Sequence, residues 1–476
     1  MESGEIVNHQ TNSLVKISIA IVFSFISLSY TAGQHGSSAK ERPVSIATFD
    51  VDATPPVGSH MAYQPVINTW DMGLRARGIV LLGGSKPIVL CAVDWLAISN
   101  ESHDAFRLAL ADAANTTPEY VAVHTLHQHD APRSDFTTEH ILKEARLEPL
   151  SFDGGFTREV IQRLAKAVKE SLKQAQPVTH LGLGEARVFN VASNRRILGA
   201  DGRVRAGRMS SCKDPALRAE PEGLIDPEIS MVSFWNNDKP VAVLSYYATH
   251  PQSYYMTQVP NPDFPGIARF QRQLDVPEAL HVHFTGAAGN IAAGKYNDGS
   301  KQNRAILAER LADGMKRAWE GTVRRPLSGK DIRWQIEPVK LPAGQELQSL
   351  SKHLDARKKD TTFLLATPWY KNATQVAWLE RSRQGKSIDV SCLTLGDARI
   401  LHLPGELFVE YQLAAKKMAS DQFVAIAAYG DGGPGYIGTS IAYDQGGYEI
   451  TVSNVGPDSE RALMKAIENL INGKGR

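Results

Sequence analysis

Short apolar runs at 79–82, 88–93, 120–123, 229–235, 241–247 and 281–285 punctuate the chain and predict strands. Between them, apolar residues recur at three- and four-residue spacing, which predicts helices near 102–114, 158–175, 302–318, 406–418 and 457–471. Strands alternating with amphipathic helices argue for an α/β architecture of mixed sheets flanked by helices. Asn236-Asn237-Asp238-Lys239 is turn chemistry between two of the runs, so 229–247 reads as an antiparallel hairpin. The stretch 319–330, with Gly321, Pro326 and Gly329, reads as a connector, and the charged, helix-like 344–385 as a surface insertion. Glycine-rich loops follow strands at 286–300 and 430–448, a size that in a compact domain usually signals function. Neither has the glycine spacing that cradles a phosphate.

Composition narrows the classes. The 476 residues are 42% hydrophobic and 22% charged, enough for one large or two medium domains. Lys and Arg (52) balance Asp and Glu (51) with no basic run, which excludes the electrostatic footprint of a nucleic-acid binder. After Lys16, the apolar residues 17–30 and the small Thr31-Ala32-Gly33 read as an export signal, with an uncleaved anchor as the alternative because Glu2 and Glu5 dilute the usual positive start. The expected organisation is a signal peptide at 1–33, a linker at 34–47 and a single domain at 48–476, secreted or periplasmic, with no transmembrane segment in the mature chain. Cys91, Cys212 and Cys392 are too few for a disulfide framework or a thiolate metal cluster. Cys91 reads as a core residue, and whether Cys212 and Cys392 pair is open.

The candidate chemistry lies at strand ends. His127-Gln128-His129-Asp130 follows the apolar run that ends near His124, and two imidazoles two residues apart can serve one cavity, one binding a metal and one supporting it. His250 ends the second strand of the hairpin. Glu406 stands where Pro404-Gly405 turns into a predicted helix, either a carboxylate at the sheet rim or a charge favoured by the helix dipole. Tyr436, in the 430–448 loop, is either a phenolate ligand or a packed ring. Two histidines and a carboxylate are a donor set that leaves a zinc coordination position open for water.

These motifs, taken in order, resemble the catalytic N-terminal domain of the neutral/alkaline non-lysosomal ceramidases. Leu74-Arg-Ala-Arg-Gly-Ile-Val with Pro87-Ile-Val-Leu-Cys-Ala-Val-Asp94 is similar to that family's LRARAF…VVFVSVD, and His127-Gln-His-Asp-Ala-Pro to its HTHSGP. Asn194-Arg195 resembles its NRS, Ile225-Asp-Pro-Glu its VDPE, Tyr247-Ala-Thr-His250-Pro its AxHPT, Pro404-Gly-Glu406 its PGE, and Tyr436 with Tyr448 its tyrosine pair. The resemblance spans about 48–472. It implies one catalytic zinc held by His127, His250, Glu406 and Tyr436, with His129, Arg195 and Tyr448 near the metal and the reacting amide. Two departures stand out. The family's loop reads GDVSPN with a catalytically important serine, where this chain has Gly289-Asn290-Ile291-Ala292-Ala293-Gly294, and the family's C-terminal immunoglobulin-like domain is expected to be absent.

The expected activity is therefore a secreted, zinc-dependent hydrolysis of an N-acyl amide by metal-activated water, on a small-molecule substrate, lipids included. Arg195 and Tyr436 would stabilise the oxyanion, and His129, with Asp130 standing in for the usual serine, would handle protons or orient a ligand. The alternatives are a zinc esterase or deacylase acting on a polar or carbohydrate substrate, and a non-catalytic metal-binding envelope protein.

Overall fold

Three sheets share one design. The computed structural model describes residues 43–476. In the first sheet the order is Val121–Thr125, Ile88–Val93, Arg75–Leu82, Ser45–Asp52 and Gln176–Pro177. In the second it is Leu280–Thr285, Lys239–Tyr247, Glu228–Asn236, His180–Arg187 and Val323–Pro326, and in the third Ile332–Val339, Ile388–Leu395, Ala398–His402 and Phe423–Ala427. Each sheet is antiparallel apart from one parallel pair: Ile88–Val93 with Val121–Thr125, Lys239–Tyr247 with Leu280–Thr285, and Ala398–His402 with Phe423–Ala427. Parallel strands need a crossover, and helices Asn100–Ala114, Asp263–Asp275 and Val409–Met418 lie on the three crossovers. The first of these helices stops at Asn115, whose left-handed φ of 54° lets its N–H cap the last turn.

One apolar core takes side chains from all three sheets, among them Leu90, Phe234, Phe284, Trp334 and Ile400. The opposite face of the first sheet packs on helices Asn100–Ala114 and Gly155–Ser171 through Phe106, Leu110, Val160 and Leu164. At their carboxyl ends the parallel pairs are stitched together by backbone bonds. Thr125 N donates to Tyr429 O (2.9 Å), Ala428 N to Thr285 O (2.9 Å) and Gly286 N to Tyr247 O (2.9 Å). Open sheets carry their ligand sites outside such carboxyl ends.

The six expected strands and the hairpin are present, the latter closing through Asn237 at φ 53° with Asn236 opposite Lys239. Four expected helices match within a few residues, but the fifth begins at Val409, so Glu406 sits in a short extended segment, Glu406–Leu407. Two expectations are corrected. The connector 319–330 contains Val323–Pro326, an edge strand on His180–Arg187. The segment 344–385 is no surface insertion: its helices bury Leu347, Leu354, Leu364, Val376 and Trp378 in the main core. The first strand begins at Ser45, inside the expected linker, while the expected signal at 1–33 lies outside the described residues. Cys91, Cys212 and Cys392 are all buried free thiols, so Cys212 and Cys392 do not pair. No helix among the described residues is long and apolar enough to cross a membrane.

Candidate metal centre

His127 leaves the first sheet two residues after Thr125 with its backbone at φ 67°, a strained left-handed conformation for a side chain of this size. Its N–H donates to Trp95 O at 2.9 Å, and its Nδ1 lies 2.8 Å from Leu96 O. A carbonyl only accepts, so Nδ1 carries the proton and Nε2 presents a bare lone pair. His250 repeats this in the second sheet. Its N–H donates to Ile291 O at 3.0 Å and its Nδ1 faces Ala288 O at 3.4 Å, which again leaves Nε2 as the lone pair. Glu406 and Tyr436 come from the third sheet's rim, as register partners in a two-residue parallel ladder, so their side chains emerge side by side. That ladder is approached closely by Gly289, where a Cβ would stand 2.3 Å from Glu406 O.

The donors converge. His127 Nε2 and His250 Nε2 are 3.1 Å apart, as are His129 Nε2 and His250 Nε2, and Glu406 Oε2 is 3.1 Å from His127 Nε2. His127, His129 and His250 form a buried group with geometry suited to a metal ion. Burial, then the neighbouring His127 and the cation of Arg195, holds the His129 and His250 pKa values well below the ordinary range, so both are neutral and ligand-competent at neutral pH. Glu406 Oε2 is buried without a hydrogen bond. Lone pairs and a carboxylate oxygen facing one another at this distance repel unless a cation lies among them, so the residues fit a metal ion.

Arg195 is fully buried beside this group. Its Nε donates to Glu449 at 2.8 Å and its Nη2 to Gly289 O at 2.7 Å, and its guanidinium carbon lies 5.2 Å from the Tyr436 ring centroid. Burial opposes its charge, but Tyr436, Glu449 and Glu406 more than offset that and raise its pKa. Burial lifts the Tyr436 phenol well above its usual pKa, against the pull of Arg195. Tyr448 packs edge-on against Tyr436 at 6.0 Å and is 53% exposed, on the cavity wall rather than among the donors.

His129, expected as a support, is an equal member of the imidazole group by distance, and its Nδ1 meets the Tyr63 hydroxyl at 3.1 Å. Asp130 departs from expectation. Its carboxylate accepts from Thr257 Oγ1 (2.6 Å) and Thr257 N (3.1 Å), which uses it to pin the 257–259 loop instead of serving the centre. Ala292 lies beside His250 through an isolated β-bridge, so the missing hydroxyl is missing next to a donor. Three residues escaped the sequence reading. Tyr429 stacks on His127 at 4.5 Å with its hydroxyl 3.5 Å from His250 Nδ1, Tyr63 touches His129, and Glu449 anchors Arg195. Tyr429 had a signal, since it sits at a strand end immediately before the glycine-rich loop; Tyr63 lies in a stretch without a periodic pattern.

Around the donors a cavity opens in two lobes, an inner one of about 230 Å³ reaching Ser99 and Asn100 and an outer one of about 630 Å³ reaching Ser210 and Trp369. With this geometry in place, likeness to solved structures settles the architecture. A neutral ceramidase from Pseudomonas aeruginosa superposes with a TM-score of 0.62 at 15% identity, over 92% of this chain and 76% of its own. The fold is ceramidase-like. A second structure, a ceramidase complexed with C2, gives a TM-score of 0.63 at 16% identity over 90% of this chain and 75% of its own. No protein-family profile and no curated protein matches the sequence. At such identity the ceramidase likeness establishes the fold, and chemistry must be argued from the site.

Proposed function

We propose that this protein is an exported, zinc-dependent amidohydrolase that cleaves an N-acyl amide. The observation that carries the reading is the convergence of the His127, His129 and His250 Nε2 atoms and Glu406 Oε2, with the tautomers of His127 and His250 fixed by backbone carbonyls so that no proton separates their lone pairs. The ceramidase-like fold supports an amide as substrate, and the apolar 17–30 segment supports export.

His127, His250, Glu406 and Tyr436 would hold the metal. Bound zinc supplies a Lewis acid and a water whose pKa falls towards neutrality. Arg195, kept charged by Glu449, and the Tyr436 phenol face the oxygen on which negative charge develops, and they are oriented before the substrate arrives. His129, hydrogen-bonded to Tyr63, holds or passes a proton at Nε2, the atom nearest His250. Leu96 O and Ala288 O fix the ring orientations of two ligands, the outer support on which metal affinity depends. Tyr448 shapes the cavity wall beside Tyr436.

The inner lobe, with Ser99, Asn100, Ser134 and Asp135, also suits a polar ester, so substrate pairs decide the bond type. The test is hydrolysis of N-acyl amides against matched esters, with zinc and with chelator, alongside metal analysis of His127→Ala. Faster amide turnover that the chelator abolishes, with zinc and activity both lost in His127→Ala, is the expected result. A variant that keeps both overturns the proposal.

A further inference from the structure

The two lobes of the cavity meet at a waist that Arg133 and Lys371 share. Neither cation has an acidic partner among the described residues. Arg133 donates through Nε and Nη2 to Ser151 Oγ (3.0 and 2.7 Å) and through Nη2 to Trp369 O (2.7 Å), and it lies 4.0 Å over the Phe152 ring. Its Nη1 makes no hydrogen bond within the described protein. Lys371 Nζ donates to Thr451 O at 2.9 Å. The carboxylate that acts on Arg133 through space is Asp135, and its oxygens are committed to Asn100 Nδ2 (2.8 Å), Thr138 Oγ1 (2.7 Å) and the N–H groups of Thr137 and Thr138, the first turn of a helix. Desolvation lowers the pKa of the half-buried Arg133 to about 10, against the pull of Tyr63 and Asp135.

The rest of the waist is flat and aromatic, with Tyr63 and Tyr448 on both lobes and Trp369 and Tyr255 on the outer one. Tyr63 packs edge-on against Trp369 at 5.0 Å and Tyr255 at 5.4 Å, while its hydroxyl reaches His129. The same ring therefore adjoins both the cation and the metal group. A long alkyl chain finds little aliphatic lining here, since Val452, Met209 and Leu96 are scattered over the two lobes. An anion placed beside the amide finds two cations lacking a counter-charge.

We infer that the substrate carries a carboxylate close to its scissile amide, as an N-acyl amino acid does, and that Arg133, with Lys371 as the second cation, receives it. Arg133 offers the two N–H groups of Nη1, its Nε and Nη2 being engaged by Ser151 and Trp369, and Lys371 adds a point charge. The identity of the cleaved bond rests on the hydrolase reading above; the anion pocket does not.

The test uses a matched pair, N-acetylphenylalanine and N-acetylphenethylamine, which differ only by the carboxylate. Calorimetric binding to the metal-free protein removes ligation by zinc as a cause of preference, and kcat/KM of the zinc-loaded protein for the same pair reads specificity. The expected result is at least tenfold preference for the carboxylate in both, reduced to within about threefold of parity by Arg133→Met. Equal or weaker binding of the carboxylate overturns the inference, as does a preference that survives Arg133→Met. If Arg133→Met does not fold, Lys371→Met replaces it and must lower the preference; an unmoved ratio refutes the pairing. Selective binding with no hydrolysis of either compound leaves the pocket standing and removes the hydrolase reading, so the two fail separately.

Discussion

Glu406→Gln separates a metal ligand from a structural carboxylate, because the two roles give effects of opposite sign. In the metal-free protein Glu406 Oε2 is buried without a hydrogen bond, 3.1 Å from His127 Nε2, the ring nitrogen opposite the one bonded to Leu96 O. An unsatisfied buried acceptor costs about 1–3 kcal/mol. The glutamine amide can donate to that lone pair, so the variant is expected to be more stable without metal by about 1–2 kcal/mol. For a folded region of roughly 430 residues, an unfolding entropy of about 2 cal/mol/K per residue turns 1 kcal/mol into about 1 °C. Zinc at about a thousandfold over its Kd adds about 4 kcal/mol to the wild type. A ligand loss that weakens affinity about a hundredfold leaves the variant about 1.4 kcal/mol of that gain. The order of the two melting temperatures therefore inverts when zinc replaces chelator, which differential scanning calorimetry reads directly. A glutamine variant that is less stable in chelator, or one that gains as much from zinc as the wild type, refutes the assignment.

Arg195→Lys is expected to keep the charge beside Glu449 but to lose the fork that also reaches Gly289 O, lowering kcat by about 10²–10³ with KM little changed; an equal rise in KM instead would mark it as a binding residue. Leu364→Ala is expected to cost about 2–5 kcal/mol in urea melts, since this side chain is fully buried in the main core, whereas a surface position would change stability by less than about 0.5 kcal/mol. His283, its Nδ1 2.9 Å from Ser245 Oγ, is held by desolvation, with Arg269 adding to it, at a pKa of about 3. A depressed histidine pKa means the unfolded chain takes up the proton first as pH falls through about 6.5, so this histidine's contribution to stability falls by about 2 kcal/mol between pH 7 and pH 5. The stability deficit of His283→Asn should shrink by that amount over the same range, and a constant deficit in denaturant melts at the two pH values counts against a neutral buried imidazole.

The strands and helices that position the site were legible because their apolar runs or periodicity are continuous, and the histidines because they follow such runs directly. What the pattern hid has physical reasons. Asp130 was read together with His129, yet 127–130 is a loop that starts from the left-handed His127, and its irregular backbone brings His127 and His129 into the imidazole group while Asp130 meets Thr257. The segment 344–385 is built from helices of seven, four and five residues before its one long helix, too short to show a 3.6-residue period. Its buried leucines are spread among charged residues, so it looked like surface. Glu406 was ambiguous between a ligand and a dipole charge, and the register with Tyr436 that resolves its direction is a tertiary fact. The resemblance in motif order supplied what periodicity could not, since it tied residues from three sheets to one centre.

That three-sheet origin determines how the centre behaves. His127 follows a strand of the first sheet's parallel pair, His250 one of the second's and Glu406 one of the third's, and the backbone bonds Thr125 to Tyr429, Ala428 to Thr285 and Gly286 to Tyr247 join their ends. No single sheet carries enough donors to hold an ion, so the site exists only when all three are docked. Phe284, stacked on Tyr246 at 5.1 Å and edge-on to His124 at 5.8 Å, lies in the core that docks them. Lone-pair repulsion among the converged donors works against that docking, and core packing must outweigh it in the metal-free protein. For a metal held as proposed, affinity and sheet packing would be one linked equilibrium: whatever loosens the shared core would weaken the ion's hold, and a bound ion would in turn stabilise the arrangement of the three sheets.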